Sequence, residues 1–195
     1  MISLQKIKSA SHNEILYKNL SITIFPGSIV NLYGENGSGK TSLLRIIAGL
    51  DDGYEGEINT AYDDFLSEVR YLGHEHGLVK NLTIEQNLKF FAKIYQHEIL
   101  LDSAYSYFDL AKIKYKKITE LSAGQIRMVA LARLIIMPGK IWLLDEPFNN
   151  LDAKNTIKVK QLINAKVNDA GITILTTHKK IDFMDVINVA LDDFR

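Results

Sequence analysis

None of the 195 residues is cysteine, so disulfides and thiolate metal sites are excluded from the outset. The absence of thiols suits a reducing cytoplasm. Net charge is absent too. Lys+Arg and Asp+Glu both number 23, which leaves nothing to draw the chain as a whole toward nucleic acid or an anionic membrane. No apolar run reaches the ~18–20 residues of a membrane-spanning helix. The segment Met1–Lys6 has no apolar stretch of the signal-peptide kind, so neither a span nor a secretory leader is expected. Internal repeats and low-complexity tracts are missing. Prolines number only three, and two of them, in Pro26-Gly27 and Pro138-Gly139, mark turns. What remains has the length of one domain, enough to bury a true core.

What is present centres on Gly34-Glu35-Asn36-Gly37-Ser38-Gly39-Lys40-Thr41, which fits the phosphate-cradling pattern G-x-x-x-x-G-K-[ST]. The apolar stretch Ile29–Tyr33 before it reads as a buried strand. Leu43, Leu44, Ile46 and Ile47 after it recur at helical spacing. Strand, glycine-rich loop and helix are the context this pattern requires. Glycines let the backbone turn tightly and approach a phosphate closely. Successive N–H groups and the helix N-terminus then attract the anion. Lys40 supplies a full positive charge for β- and γ-phosphates, Thr41 a hydroxyl for Mg²⁺, and Ser42 a further donor.

A second element complements the loop. Ile141-Trp142-Leu143-Leu144 reads as a fully apolar strand ending in Asp145-Glu146-Pro147. Asp145 is placed to hold Mg²⁺, and Glu146 to polarise a water beside the γ-phosphate. Ile172–Leu175 is another strand, and it ends at Thr176-Thr177-His178. The carboxyl ends of parallel strands line the ligand crevice of open α/β sheets, which makes His178 a candidate partner for the γ-phosphate or its water.

Along the rest of the chain, 2–7 and 20–25 alternate as half-buried strands, with His12-Asn13-Glu14 as a turn between early strands. Glu57-Ile58-Asn59 is a short returning strand, and Val69–Gly73 a further one. Thr83 and Gln86 form a capping box before a helix carrying Leu88, Phe91 and Ile94. A second helix is expected over about 98–110. Four lysines between Lys112 and Lys117 read as a solvated connector rather than a nucleic-acid patch. A strong helix follows Leu121–Gln125, another covers 153–169, and a last strand lies near Ile187–Leu191. The expected fold is therefore α/β, with a P-loop core over about 1–77 and 138–195 and an inserted helical subdomain over about 78–137, all within one domain, 1–195.

These motifs together resemble the ATP-binding subunits of ABC transporters. Leu121-Ser122-Ala123-Gly124-Gln125 is similar to that family's signature, with Ala123 where a glycine is usual. Asn150-Leu151-Asp152 resembles its D-loop, and His178 its switch histidine. The resemblance implies an ABC ATPase core with an N-terminal antiparallel β subdomain. It implies a homodimer in which each ATP lies between one P-loop and the partner's signature, with Ser122 and the Gly124 N–H meeting the γ-phosphate. It also implies integral-membrane partner subunits.

Tyr71-Leu72-Gly73-His74, Asn87-Leu88, Val129–Leu134 and Leu144–Phe148 resemble, more narrowly, the ATPase subunits of cytochrome c biogenesis, the heme-exporter branch. That branch implies a peripheral place on the cytoplasmic face of the bacterial inner membrane and a role in heme delivery. No direct heme binding by this chain, and no nucleic-acid partner, is expected. Two departures stand out. Glu75 occupies the place of the usual Mg²⁺-contacting glutamine, and Ser9–His12 contains no aromatic to stack on adenine, which leaves His12 or Tyr17 as candidates. The function expected is Mg²⁺-dependent ATP hydrolysis coupled to transport. An ABC transporter for another cargo and a soluble ABC-type ATPase are the alternatives. A guanine-reading enzyme is less well supported, because Lys179-Lys180-Ile181-Asp182 lacks the asparagine of N-K-x-D.

Overall fold

A computed structural model describes residues 1–11, 14–183 and 185–194. In chain order the elements are β1 (Ile2–Ser11), β2 (Glu14–Ile24), β3 (Ile29–Tyr33), α1 (Lys40–Ile47), β4 (Tyr54–Thr60), α2 (Phe65–Glu68), β5 (Val69–Leu72), α3 (Ile84–Tyr95), α4 (Leu101–Tyr107), α5 (Ala123–Ile136), β6 (Ile141–Leu144), α6 (Ala153–Asn168), β7 (Ile172–Thr177) and β8 (Ile187–Ala190). Short 3₁₀ turns cover Glu98–Leu100, Ala111–Ile113, Ile118–Glu120 and Leu191–Phe194. The chain divides into two compact units.

The first unit holds Met1–Tyr71, Gly139–Glu146 and the chain from Ile163 onward. It contains a three-stranded sheet in the order β2-β1-β4, whose neighbours are antiparallel. Register shifts between Leu4 and Ile7, where Lys6 takes φ +50°, so Ile2, Leu4 and Ile7 all turn inward although the spacing changes parity. An extra residue in a bulge does this by reversing the alternation. A similar shift near Asn19 (φ +52°) hides the alternation of β2, which begins at Glu14 rather than near residue 20. Of the expected turn, His12 and Asn13 lie outside the described residues.

The second sheet has the order β5-β6-β7-β3-β8, with β6–β7, β7–β3 and β3–β8 parallel. Ile29, Val30 and Leu32 of β3, all of β6, and Ile172–Leu175 of β7 are buried. Continuous apolar runs of this kind are what parallel strands covered on both faces need. Leu43, Leu44, Ile46 and Ile47 bring α1 into the same core as Ile2, Leu4, Leu143 and Ile174. Each fully buried side chain of this size contributes about 1.5–3 kcal/mol. Buried Asn31 is fully engaged. Its Nδ2 donates to Asn188 Oδ1 at 2.8 Å and to the Lys179 carbonyl at 3.3 Å, and its Oδ1 accepts from Thr177 Oγ1 at 2.8 Å. This network fastens the chain on both sides of His178.

The second unit holds Leu72–Pro138 and Pro147–Leu162. The capping box at Thr83 forms as expected: Thr83 Oγ1 accepts the Gln86 N–H, and Gln86 Oε1 accepts the Thr83 N–H. Ile84, Leu88 and Ala92 make the buried face of α3, while Ile94 is exposed. The helix expected over 98–110 is shorter. It stops at Tyr107, and Asp109 in the left-handed region (φ +56°) pairs with Lys154 and Lys158. In the lysine-rich connector Lys112, Lys116 and Lys117 are exposed, and Lys114 reaches Glu85 at 3.9 Å. Among the described residues no helix is long and apolar enough to cross a membrane.

Candidate functional site

The P-loop follows β3, Asp145-Glu146 follows β6, and His178 follows β7. Because these three strands are parallel neighbours, their carboxyl ends meet at one edge of the sheet. Gly39 is the N-cap residue of α1 at φ +88°, and a Cβ there would stand 2.8 Å from the Tyr17 ring. Gly37, at φ +81°, has none of the described residues within 4 Å of a Cβ position. Asn36, Gly37, Gly39, Lys40, Thr41 and Ser42 line a hollow of about 270 Å³, joined by Leu16 and Glu146. Ser38 is buried behind the loop, and among the described residues its hydroxyl has no hydrogen-bond partner. A hollow ringed by main-chain amides and one lysine has the chemistry of a polyphosphate cradle.

Lys40 Nζ donates to the carbonyls of Gly34 (2.8 Å) and Glu35 (2.7 Å), which holds the ammonium over its own loop. Thr41 Oγ1 donates to Asp145 Oδ2 at 2.8 Å. Asp145 Oδ1 accepts from Thr176 Oγ1 at 2.7 Å, and that hydroxyl in turn accepts the Glu146 N–H at 2.8 Å. Glu146 takes a left-handed backbone (φ +50°), and its Oε1 lies 3.2 Å from His178 Nε2. The structure therefore brings together Gly34–Ser42, Asp145, Glu146 and His178. It adds Thr176, which sequence reading missed although the residue lies in an apolar strand two positions before His178.

Thr41 and Asp145 offer adjoining hard oxygens, a donor set suited to Mg²⁺. Among the described residues no cluster of three or more His, Asp or Glu side chains is arranged to hold an ion. Two protein oxygens completed by phosphate oxygens is a usual way to bind this metal.

Tyr17 needs correction as a stacking candidate. It is completely buried beneath Gly39, and burial pushes its phenol up to about 12. Strand alternation explains this: Tyr17 points to the core while its neighbour Leu16 lines the hollow. The other candidate, His12, lies outside the described residues.

The remaining predicted residues lie in the second unit. Ser122 is exposed and caps α5, with Oγ accepting the Gln125 N–H (3.3 Å) and Gln125 Oε1 accepting the Ser122 N–H (3.0 Å). Leu121 is half-buried, and Ala123 begins the helix. A Cβ on Gly124 would stand 2.5 Å from the Asn150 carbonyl oxygen, so the start of α5 and the turn at Asn150 approach through backbone. Asp152 Oδ1 accepts the Asn155 N–H at 2.7 Å at the start of α6.

Glu75 is exposed on a turn. With His76, Leu78, Ile118, Leu121 and Ile126 it lines a separate cavity of about 520 Å³. Burial, then the charge of Arg127, then His74 and Arg133 hold His76 down at about 4. Buried Arg133 fastens this turn by donating to the His76 and Gly77 carbonyls, and its guanidinium lies over the Phe91 ring.

A glycine-rich loop between a buried parallel strand and its helix, with an acidic strand end bonded to the loop's threonine, defines a P-loop nucleotide-binding protein. Residues 17–149 match the family model for ABC transporters. The cytochrome c biogenesis ATP-binding export protein CcmA of Shewanella frigidimarina is 40% identical over 200 residues, covering 94% of this chain and 89% of that protein. The protein of the same name from Rickettsia bellii is 39% identical over 182 residues, covering 91% and 93%. In fold the chain is similar to an ABC transporter ATP-binding protein from Pyrococcus furiosus, with a TM-score of 0.85, 26% identity and coverage of 99% and 98%. The chain belongs to the ABC transporter family, as an ATP-binding and ATP-hydrolysing subunit.

Proposed function

We propose that this chain is the Mg²⁺-dependent ATPase subunit of an exporter that serves c-type cytochrome biogenesis by driving heme delivery. It works as a homodimer, bound to integral-membrane subunits on the cytoplasmic face of a bacterial inner membrane. The identity of about 40% with cytochrome c biogenesis export proteins, over more than nine-tenths of the chain, carries the cargo assignment. The domain reading is one ABC ATPase domain, 1–195, with its helical part over about 78–137.

The chemistry proposed starts from this chain's own groups. The loop amides and Lys40 receive the β- and γ-phosphates and stabilise charge as it develops. Glu146 accepts a proton from a water and aims it in line at the γ-phosphate. His178, 3.2 Å from Glu146, orients that carboxylate and can donate to the γ-phosphate. Thr41 and Asp145 would hold Mg²⁺, which when bound would offset the charge of the phosphates. Ser122 and the Gly124 N–H of a second copy close the site from the other side, so that ATP joins the dimer and its hydrolysis releases it. A ligand that favours the closed state in this way can move a membrane partner.

Affinity capture of the chain from detergent-solubilised native membranes tests the assignment. Multispanning cytochrome c assembly proteins are the expected co-purifying partners. An unrelated permease would keep the ATPase and remove the heme role. Ribosomal or DNA-repair proteins without a membrane partner would overturn the exporter reading.

A further inference from the structure

Strand β8 pairs in parallel with β3, with Tyr33 opposite Ala190, so the residues that follow Ala190 leave the sheet beside the start of the P-loop. The second of them, Asp192, turns its carboxylate onto the loop. Oδ2 accepts the Glu35 N–H at 3.2 Å. A Cβ on Gly34 would lie 2.8 Å from the same oxygen and 2.8 Å from Ser38 Oγ, so loop and carboxylate are in close apposition. Lys40 meanwhile holds the Gly34 and Glu35 carbonyls. The first peptide groups of the loop are thus gripped twice, by an ammonium on their oxygens and by a carboxylate on a nitrogen.

Asp192 stands outside the set of described residues that line the hollow. Its carboxylate engages a main-chain donor of the loop. We propose that Asp192 is a positioning residue for nucleotide binding. It acts through the Glu35 amide, fixing the entry of the P-loop so that the later amides, from Asn36 to Lys40, converge on the phosphates. Loss of this acceptor releases the Glu35 N–H from the carboxylate that orients it, so the entry of the loop is less fixed. This role rests on the reading of the hollow as a polyphosphate site.

The test is calorimetric titration of the purified full chain with ATP in EDTA, which removes hydrolysis from the measurement. Asp192→Ala should weaken ATP binding about ten-fold, while its melting temperature without nucleotide stays near that of the parent. Asp192→Asn keeps a carbonyl acceptor for the Glu35 N–H and should restore affinity to within about two- to three-fold of the parent, a recovery that general destabilisation would not produce. Unchanged affinity in Asp192→Ala overturns the inference, as does an Asn variant as weak as the Ala variant. Lys40→Ala serves as the control. If the parent binds ATP and Lys40→Ala does not, a negative result at Asp192 condemns this role alone. If the parent fails to bind ATP, the reading of the site falls with it.

Discussion

Nε2 of His178 lies 3.2 Å from Oε1 of Glu146, while the Glu146 N–H is held by Thr176 of β7, the strand that His178 follows. The carboxylate is therefore fixed from both its side chain and its backbone. Glu146→Gln keeps the shape and the contact with His178 but removes the base. It should bind ATP like the parent and lose roughly 10²–10⁴-fold in turnover. Parallel measurements of ATP affinity and phosphate release check this, and parental turnover in the variant would remove Glu146 from the mechanism.

Gly124 presents a different kind of constraint. Alanine is the better helix former, yet a Cβ here meets the Asn150 carbonyl at 2.5 Å. Gly124→Ala should cost about 1–3 kcal/mol through displacement of the D-loop backbone. A fall of several degrees in melting temperature, with lowered ATPase activity, is the expected pair of results. A variant as stable as the parent would mean that the two segments are not tied through this contact.

His76 makes stability depend on pH. Its value in the folded protein, about 4, lies below the 6.5 of an unfolded chain, because it is partly buried and faces Arg127, His74 and Arg133. Between those values the unfolded chain carries a proton that the native one refuses, so this residue's contribution falls as pH drops from about 6.5 toward 4 and levels off below. Melting curves from pH 7.5 to 4.5 should show a shallower decline for His76→Gln than for the parent. Equal slopes would place the pH dependence elsewhere.

Ser122→Arg combines two effects. Loss of the cap on α5 costs about 1 kcal/mol. The long cation also fills the space where the signature would meet a partner's nucleotide. In a Glu146→Gln background, light scattering should find an ATP-dependent dimer that disappears when Ser122→Arg is added, while each monomer still binds ATP. Persistence of the dimer would refute the shared-site arrangement.

Much of this was written locally in the chain. The P-loop lies between a buried strand and its helix because the loop's own glycines and the apolar runs beside it dictate that order. The Thr83–Gln86 box and the Asp145-Glu146 strand end are likewise short-range signals. What sequence reading missed depends on bulges and on pairings distant in sequence. The shifts at Lys6 and Asn19 scramble period-two alternation, so β2 looked half its length. Burial of Tyr17, with Leu16 half-buried beside the hollow, follows from that register. The short helix α2, capped by Asp64, has too few turns to show a period. Asp192 reaches Glu35 across 157 residues, through a pairing of β8 with β3 that no local pattern announces.

The left-handed backbone at Glu146 has a consequence for anyone who would engineer this molecule. An L-residue there is held at a cost of about 1–2 kcal/mol that glycine would not incur. Directed evolution scored only on heat resistance would thus be rewarded for deleting the residue on which turnover is proposed to depend. Hardier descendants would then be inert ones. Any such library needs a first screen for an acid retained at position 146, applied before heat resistance is scored.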